Sequence, residues 1–85
     1  MELEEKKQLR LKILEELYEI YFKTGRGKGT LNYLKFEDMP TRTAYEYLIN
    51  KGLISEKHES GNNFNYKITV VGIDLVEGSI AIPGL

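Results

Sequence analysis

Cysteine and tryptophan are absent from this chain of 85 residues, proline occurs twice, and His58 is the single histidine. Without cysteine there is no disulfide scaffold, no thiolate zinc site and no thiol nucleophile. One histidine excludes a multi-histidine metal or catalytic centre. No apolar run approaches the roughly 18 residues a membrane-spanning helix needs, and the charged start of the chain has no apolar stretch of the secretory kind. A cytoplasmic protein without membrane association is expected. A dominant charge is missing as well, since 12 basic residues stand against 13 acidic ones for a net charge of −1. That balance argues against tight, indiscriminate binding to nucleic acid. Glu37-Asp38 before Pro40 reads as a solvated helix end rather than a carboxylate pair. No nucleophile and base can be paired, so neither enzyme activity nor a cofactor is expected.

What is present suits one small soluble domain. At 41% hydrophobic and 29% charged, the chain is neither disordered nor membrane-embedded. Residues 24–57 carry Arg26, Lys28, Lys35, Arg42, Lys51 and Lys57 against Glu37, Asp38, Glu46 and Glu56, so a polyanion would have to meet the middle of the chain.

From Glu2 to Lys23 the pattern is that of a long helix. Leu9, Ile13, Leu17 and Ile20 recur at spacings of four and three, and Leu14, Tyr18, Tyr21 and Phe22 widen the stripe. This is more apolar surface than one small core requires, and a partner surface for a second copy of the chain is expected there. The glycines of Gly25-Arg26-Gly27-Lys28-Gly29 end the helix and predict a flexible connector. Leu31, Tyr33, Leu34 and Phe36 leave room for about two helical turns before Pro40 stops them. Thr41 or Thr43 is expected to cap a third helix over about 41–51, with Gly52 as its left-handed stop.

After Gly52 the period becomes alternating. Leu53 through about His58 predicts one strand, Glu59 to Asn63 a turn, and Phe64, Tyr66 and Ile68 the inner face of a return strand. Thr69 is placed to cap a short last helix from Val70 to about Glu77, closed by Gly78, ahead of an apolar tail at 79–85. The expected class is α+β, with a hairpin extending from a three-helix core.

The segments Thr41–Ile54 and Tyr66–Val76, with Leu48-x-x-x-Gly52-Leu53-Ile54 and Tyr66-x-Ile68-Thr69-x-x-Gly72, resemble the winged helix-turn-helix superfamily. The likeness is greatest to the small stand-alone bacterial and prophage type, such as the YjcQ type. It implies a winged-helix domain over 1–78, a wing at 59–67, and double-stranded DNA as partner. The larger MarR-like and PadR-like regulators dimerise through long C-terminal helices. A homodimer here would use the first helix or the tail.

On that reading Arg42, Thr43, Glu46, Tyr47 and Asn50 face outward from the third helix into a major groove. Arg pairs with guanine, Asn with adenine, and Glu accepts from cytosine. Asn62, Asn63 and Lys67 in the wing would touch the flanking backbone, and Arg26 and Lys28 a phosphate. The Gly25–Thr30 stretch is not a Walker loop, because it follows a helix and lacks the spacing. Tyr33 and Tyr47 are the tyrosines expected at the surface. The alternative is a protein-interaction module, a phage-type inhibitor or adaptor, sensitive to a charge placed at Leu11 or Ile82. It follows from the acidic first helix and the single clear cation, Arg42, on the third.

Overall fold

The computed structural model describes residues 2–31, 38–61 and 63–78. They form α1 (Leu3–Thr24), β1 (Lys28–Leu31), α2 (Met39–Asn50), β2 (Ile54–Ser60), β3 (Asn63–Ile68) and α3 (Val70–Val76). Three helices and one three-stranded antiparallel sheet, in the order β1-β3-β2, make an α+β fold. No described helix is long and apolar enough to cross a membrane.

The apolar stripe of α1 supplies the floor of the core. Ile13, Leu14 and Leu17 are buried, and Leu9, Tyr18, Ile20 and Tyr21 pack half-buried around them. Phe22 does not join them and is 59% exposed, because 3.6 residues per turn carry it far round the helix from Leu17. Gly25 ends α1 in the left-handed region, its N–H donating to the Tyr21 carbonyl at 2.7 Å.

The glycine-rich stretch after α1 is not the connector its composition predicts. Lys28–Leu31 runs antiparallel to β3, with Lys28 opposite Tyr66 and Leu31 opposite Asn63. Gly27 permits the approach, since a Cβ there would overlap the Asn65 side chain and the Tyr66 carbonyl. Leu31, expected to open a second helix, ends this strand instead; the rest of that expected helix lies outside the described residues.

The helix expected from Thr41 starts two residues earlier. Asp38 caps α2 by accepting from the Thr41 N–H at 2.9 Å. Pro40, expected to stop a preceding helix, lies in the first turn of α2, where its missing N–H has no intrahelical partner to lose. Thr43 is no cap either, as its hydroxyl donates back to the Pro40 carbonyl at 3.0 Å. Ala44, Tyr45 and Leu48 are buried against α1 and the sheet.

The hairpin follows the alternation of its sequence. Ile54 pairs with Ile68, Glu56 with Tyr66 and His58 with Phe64, with a register shift between His58 and Ser60. Tyr66 has no exposed surface; its ring lies 5.1 Å from that of Tyr45 and its hydroxyl donates to Glu56 at 2.8 Å. Leu14, Leu17, Leu48 and Leu53 are equally closed off. Each such leucine stabilises the fold by about 1.5–3 kcal/mol relative to an exposed one.

One joint sets the angle between α2, the hairpin and α3. Gly52, with φ at 76°, turns the chain out of α2. The Thr69 hydroxyl donates to the Gly52 carbonyl at 2.6 Å and accepts from the Gly72 N–H at 3.1 Å. The Thr69 N–H donates to the Leu53 carbonyl at 3.0 Å. Gly72 lies so close beneath that a Cβ would overlap the Leu53 carbonyl oxygen and crowd Ile68. Gly72→Ala is therefore expected to lower stability by about 1–3 kcal/mol through overpacking. Thr69→Val, which keeps the shape and removes the hydroxyl, should lower it by about 1–2 kcal/mol. Urea denaturation checks both; an unchanged midpoint for either would remove the joint from the account.

Hydrogen bonds from Thr41, side chain first and backbone second, hold the Asp38 carboxyl below its ordinary range. A depressed carboxyl contributes stability above the range where the unfolded chain titrates and loses it as pH falls through the folded value. Asp38→Asn should keep most of the cap and remove this acid dependence. Urea midpoints measured from neutral pH into the acid range should fall less steeply for the variant than for the native chain.

Candidate nucleic-acid interface

The outward side of α2 is built by elimination. With Ala44, Tyr45 and Leu48 turned to the core, the wheel leaves Met39, Thr43, Glu46 and Asn50 on one exposed line, at spacings of four, three and four. Glu46 and Asn50 make no side-chain hydrogen bond or ion pair among the described residues. The line offers a carboxylate acceptor, an amide with two donors and one acceptor, and a hydroxyl already bound to its own helix. It contains no cation.

The cations stand to either side. Arg42 lies on one flank, half-buried rather than outward, and its enclosed Nε has no hydrogen-bond partner among the described residues. Tyr47 lies on the other flank and is also half-buried, contrary to the expectation of an exposed ring. The Arg10 guanidinium of α1 stacks 3.7 Å from the centroid of the Tyr47 ring, and Lys51 Nζ is 5.7 Å from it. Arg10 and Lys51 were not legible as members of this surface. Lys51 reads as a helix end and as one of the cations of the middle of the chain, without a place beside Tyr47, and Arg10 reaches α2 through a stacking contact 37 positions away in sequence.

The other candidates are scattered. Asn63 is exposed at the start of β3, and Asn62 lies outside the described residues. Lys67 bends toward α1, its Nζ 5.2 Å from the centre of the Tyr21 ring. Lys28 forms an ion pair with Glu16 at 2.9 Å. Arg26 is exposed in the turn before β1, and its N–H donates to the Thr24 hydroxyl at 3.0 Å. The loop that carries Arg26 and Lys28 therefore leads into a strand, and one of its N–H groups is already used. The inner ends of the hairpin, Ile54, Tyr66 and Ile68, belong to the core, while every β2 residue from Ser55 to Ser60 is exposed. His58 Nε2 lies 2.6 Å from the Gly61 carbonyl, and its ring 5.1 Å from Phe64, which braces the tip.

A second surface lies at the end of α1. Phe22 packs against Tyr18 at 4.6 Å and Tyr21 at 5.5 Å between ring centroids, while the Tyr18 hydroxyl donates to Glu77 at 2.8 Å. That bond, ahead of desolvation, raises the Tyr18 hydroxyl above its ordinary value. No group of three or more metal-ligating side chains occurs among the described residues. Searches against protein families, curated proteins and solved structures find no match to this chain.

The Arg10–Tyr47 contact is testable by itself. A double-mutant cycle of Arg10→Met and Tyr47→Leu should give a coupling of about 0.5–1 kcal/mol, the worth of a cation–π pair at the protein surface. A coupling indistinguishable from zero would detach Arg10 from this surface.

Proposed function

We propose that this chain is a small winged-helix DNA-binding regulator of bacterial or phage type, acting in the cytoplasm without a cofactor. The observation that carries the reading is the cross-section of α2. Its exposed line is polar and hydrogen-bonding, and cations occupy both flanks, Arg42 on one and Arg10 with Lys51 on the other. A major groove has the matching cross-section, with base edges on its floor and a phosphate row along each wall. The resemblance of residues 41–54 and 66–76 to winged-helix proteins supports it, as does a hairpin that leaves the core directly after α2. Arg42, Arg10 and Lys51 serve as backbone contacts, Thr43, Glu46 and Asn50 face the bases, and Asn63 and the hairpin tip meet the flanking strand. Lys28 and Lys67, committed to α1, carry none of the binding. A homodimer would present two such surfaces to a two-fold site.

Selection from a randomised duplex library at low and near-physiological salt tests the proposal, with the mass in solution measured alongside. An enriched motif is expected. Asn50→Ala should weaken binding to it by about 1–3 kcal/mol and relax one position, whereas Lys51→Ala should weaken all sequences alike and reduce the salt slope by about one. If the chain retains no duplex at either salt, the DNA reading fails. The second reading, a module that binds another protein, then takes its place. The exposed Phe22 on its Tyr18–Tyr21 cluster favours that reading, because an exposed aromatic patch suits a protein interface.

A further inference from the structure

We infer that Glu46 is the specificity-determining residue of the α2 surface and that it selects a cytosine, an inference that rests on the DNA-binding reading above. Glu46 is exposed near the middle of the line Met39, Thr43, Glu46, Asn50, which has no cation of its own. No described residue pairs with its carboxylate. Arg42 stands one turn before Glu46 on the flank of the line, half-buried and forming no ion pair with it among the described residues, and the Arg10–Tyr47–Lys51 stack lies on the other flank.

A carboxylate carried into a groove lined by phosphates is repelled unless it accepts a hydrogen bond there. Among major-groove base edges, cytosine itself carries only the N4 amino donor and no acceptor of its own, while guanine offers only acceptors to a carboxylate. Adenine pairs its amino group with the N7 acceptor, which opposes the second carboxylate oxygen. Glu46 therefore acts as a filter. It rewards one base and penalises the rest, and it lowers affinity for sequences lacking that base. This also explains how a chain with net charge −1 can bind DNA selectively rather than coat it. Asn50 lies four residues further along the same line, about 6 Å at 1.5 Å per residue, or roughly two base-pair steps. The motif should hold a cytosine with an adenine about two steps away.

Library selection with the native chain, Glu46→Gln and Glu46→Asp tests this, with thermal melts confirming that each variant is folded. The native chain should enrich a motif with one near-invariant cytosine. Glu46→Gln keeps the length, removes the charge and adds a donor. It should lose that preference by about tenfold, admit adenine at the same position, and bind unrelated duplex more tightly than the native chain. Glu46→Asp keeps the charge but shortens the reach, so it should lose the cytosine without gaining non-specific affinity. A native motif with an invariant cytosine that persists unchanged in Glu46→Gln overturns the inference and leaves DNA binding intact. Failure of the native chain to retain any duplex overturns both, and so is distinguishable from it.

Discussion

The arrangement of this small domain depends on the hydroxyl of Thr69. One oxygen caps α3 through the Gly72 N–H and holds the Gly52 carbonyl at the exit of α2, while the backbone of the same residue binds the Leu53 carbonyl. The end of α2, the start of β2, the end of β3 and the start of α3 therefore meet at one point. Gly72 lets them meet closely, and Leu53 directly beneath is closed off from solvent along with Leu48 and Tyr66. Any change in this joint would alter the angle between the exposed line of α2 and the projecting hairpin, and with it the relation of the two surfaces assigned to the groove and to the flanking strand.

The second organising influence is the recruitment of cations by α1. Glu16 takes Lys28, Tyr21 takes Lys67, and in return α1 sends Arg10 across to Tyr47 on α2. Each contact is weak by itself, since exposed ion pairs and cation–π contacts are worth about 1 kcal/mol or less. Together they redistribute positive charge in a way that a count of Lys and Arg along the middle of the chain does not reveal. Lys28 and Lys67 are drawn away from the surface to which sequence reasoning assigns them, and Arg10 is added to it.

Much of the fold was legible because it is governed by local rules. The 4-3 stripe of α1, the alternation of Phe64, Tyr66 and Ile68, the Thr69 cap and the left-handed Gly52 are each written within a few residues of the element they shape. The misses share a different character. Lys28–Leu31 has little strand character of its own, and becomes β1 because β3, paired with β2 on one side, offers its other edge and Gly27 permits the approach. Pro40 signals a stop when read alone, yet it belongs to the first turn of α2 once Asp38 is recognised as the cap.

The candidate site divides along the same line. Sequence alone identified Thr43, Glu46 and Asn50 as exposed, because helical period and the burial of Ala44, Tyr45 and Leu48 leave them no other side to occupy. It also identified the α+β class, since the change of period after Gly52 marks where helix gives way to hairpin. Only the tertiary structure decided that Arg42 and Tyr47 are half-buried, that Lys28 and Lys67 are engaged by α1, and that Arg10 joins the flank of α2. The physical reason is range. Backbone conformation and amphipathic period are set by neighbours in sequence, whereas the direction in which a long cationic side chain settles is set by the rings and carboxylates that folding brings beside it.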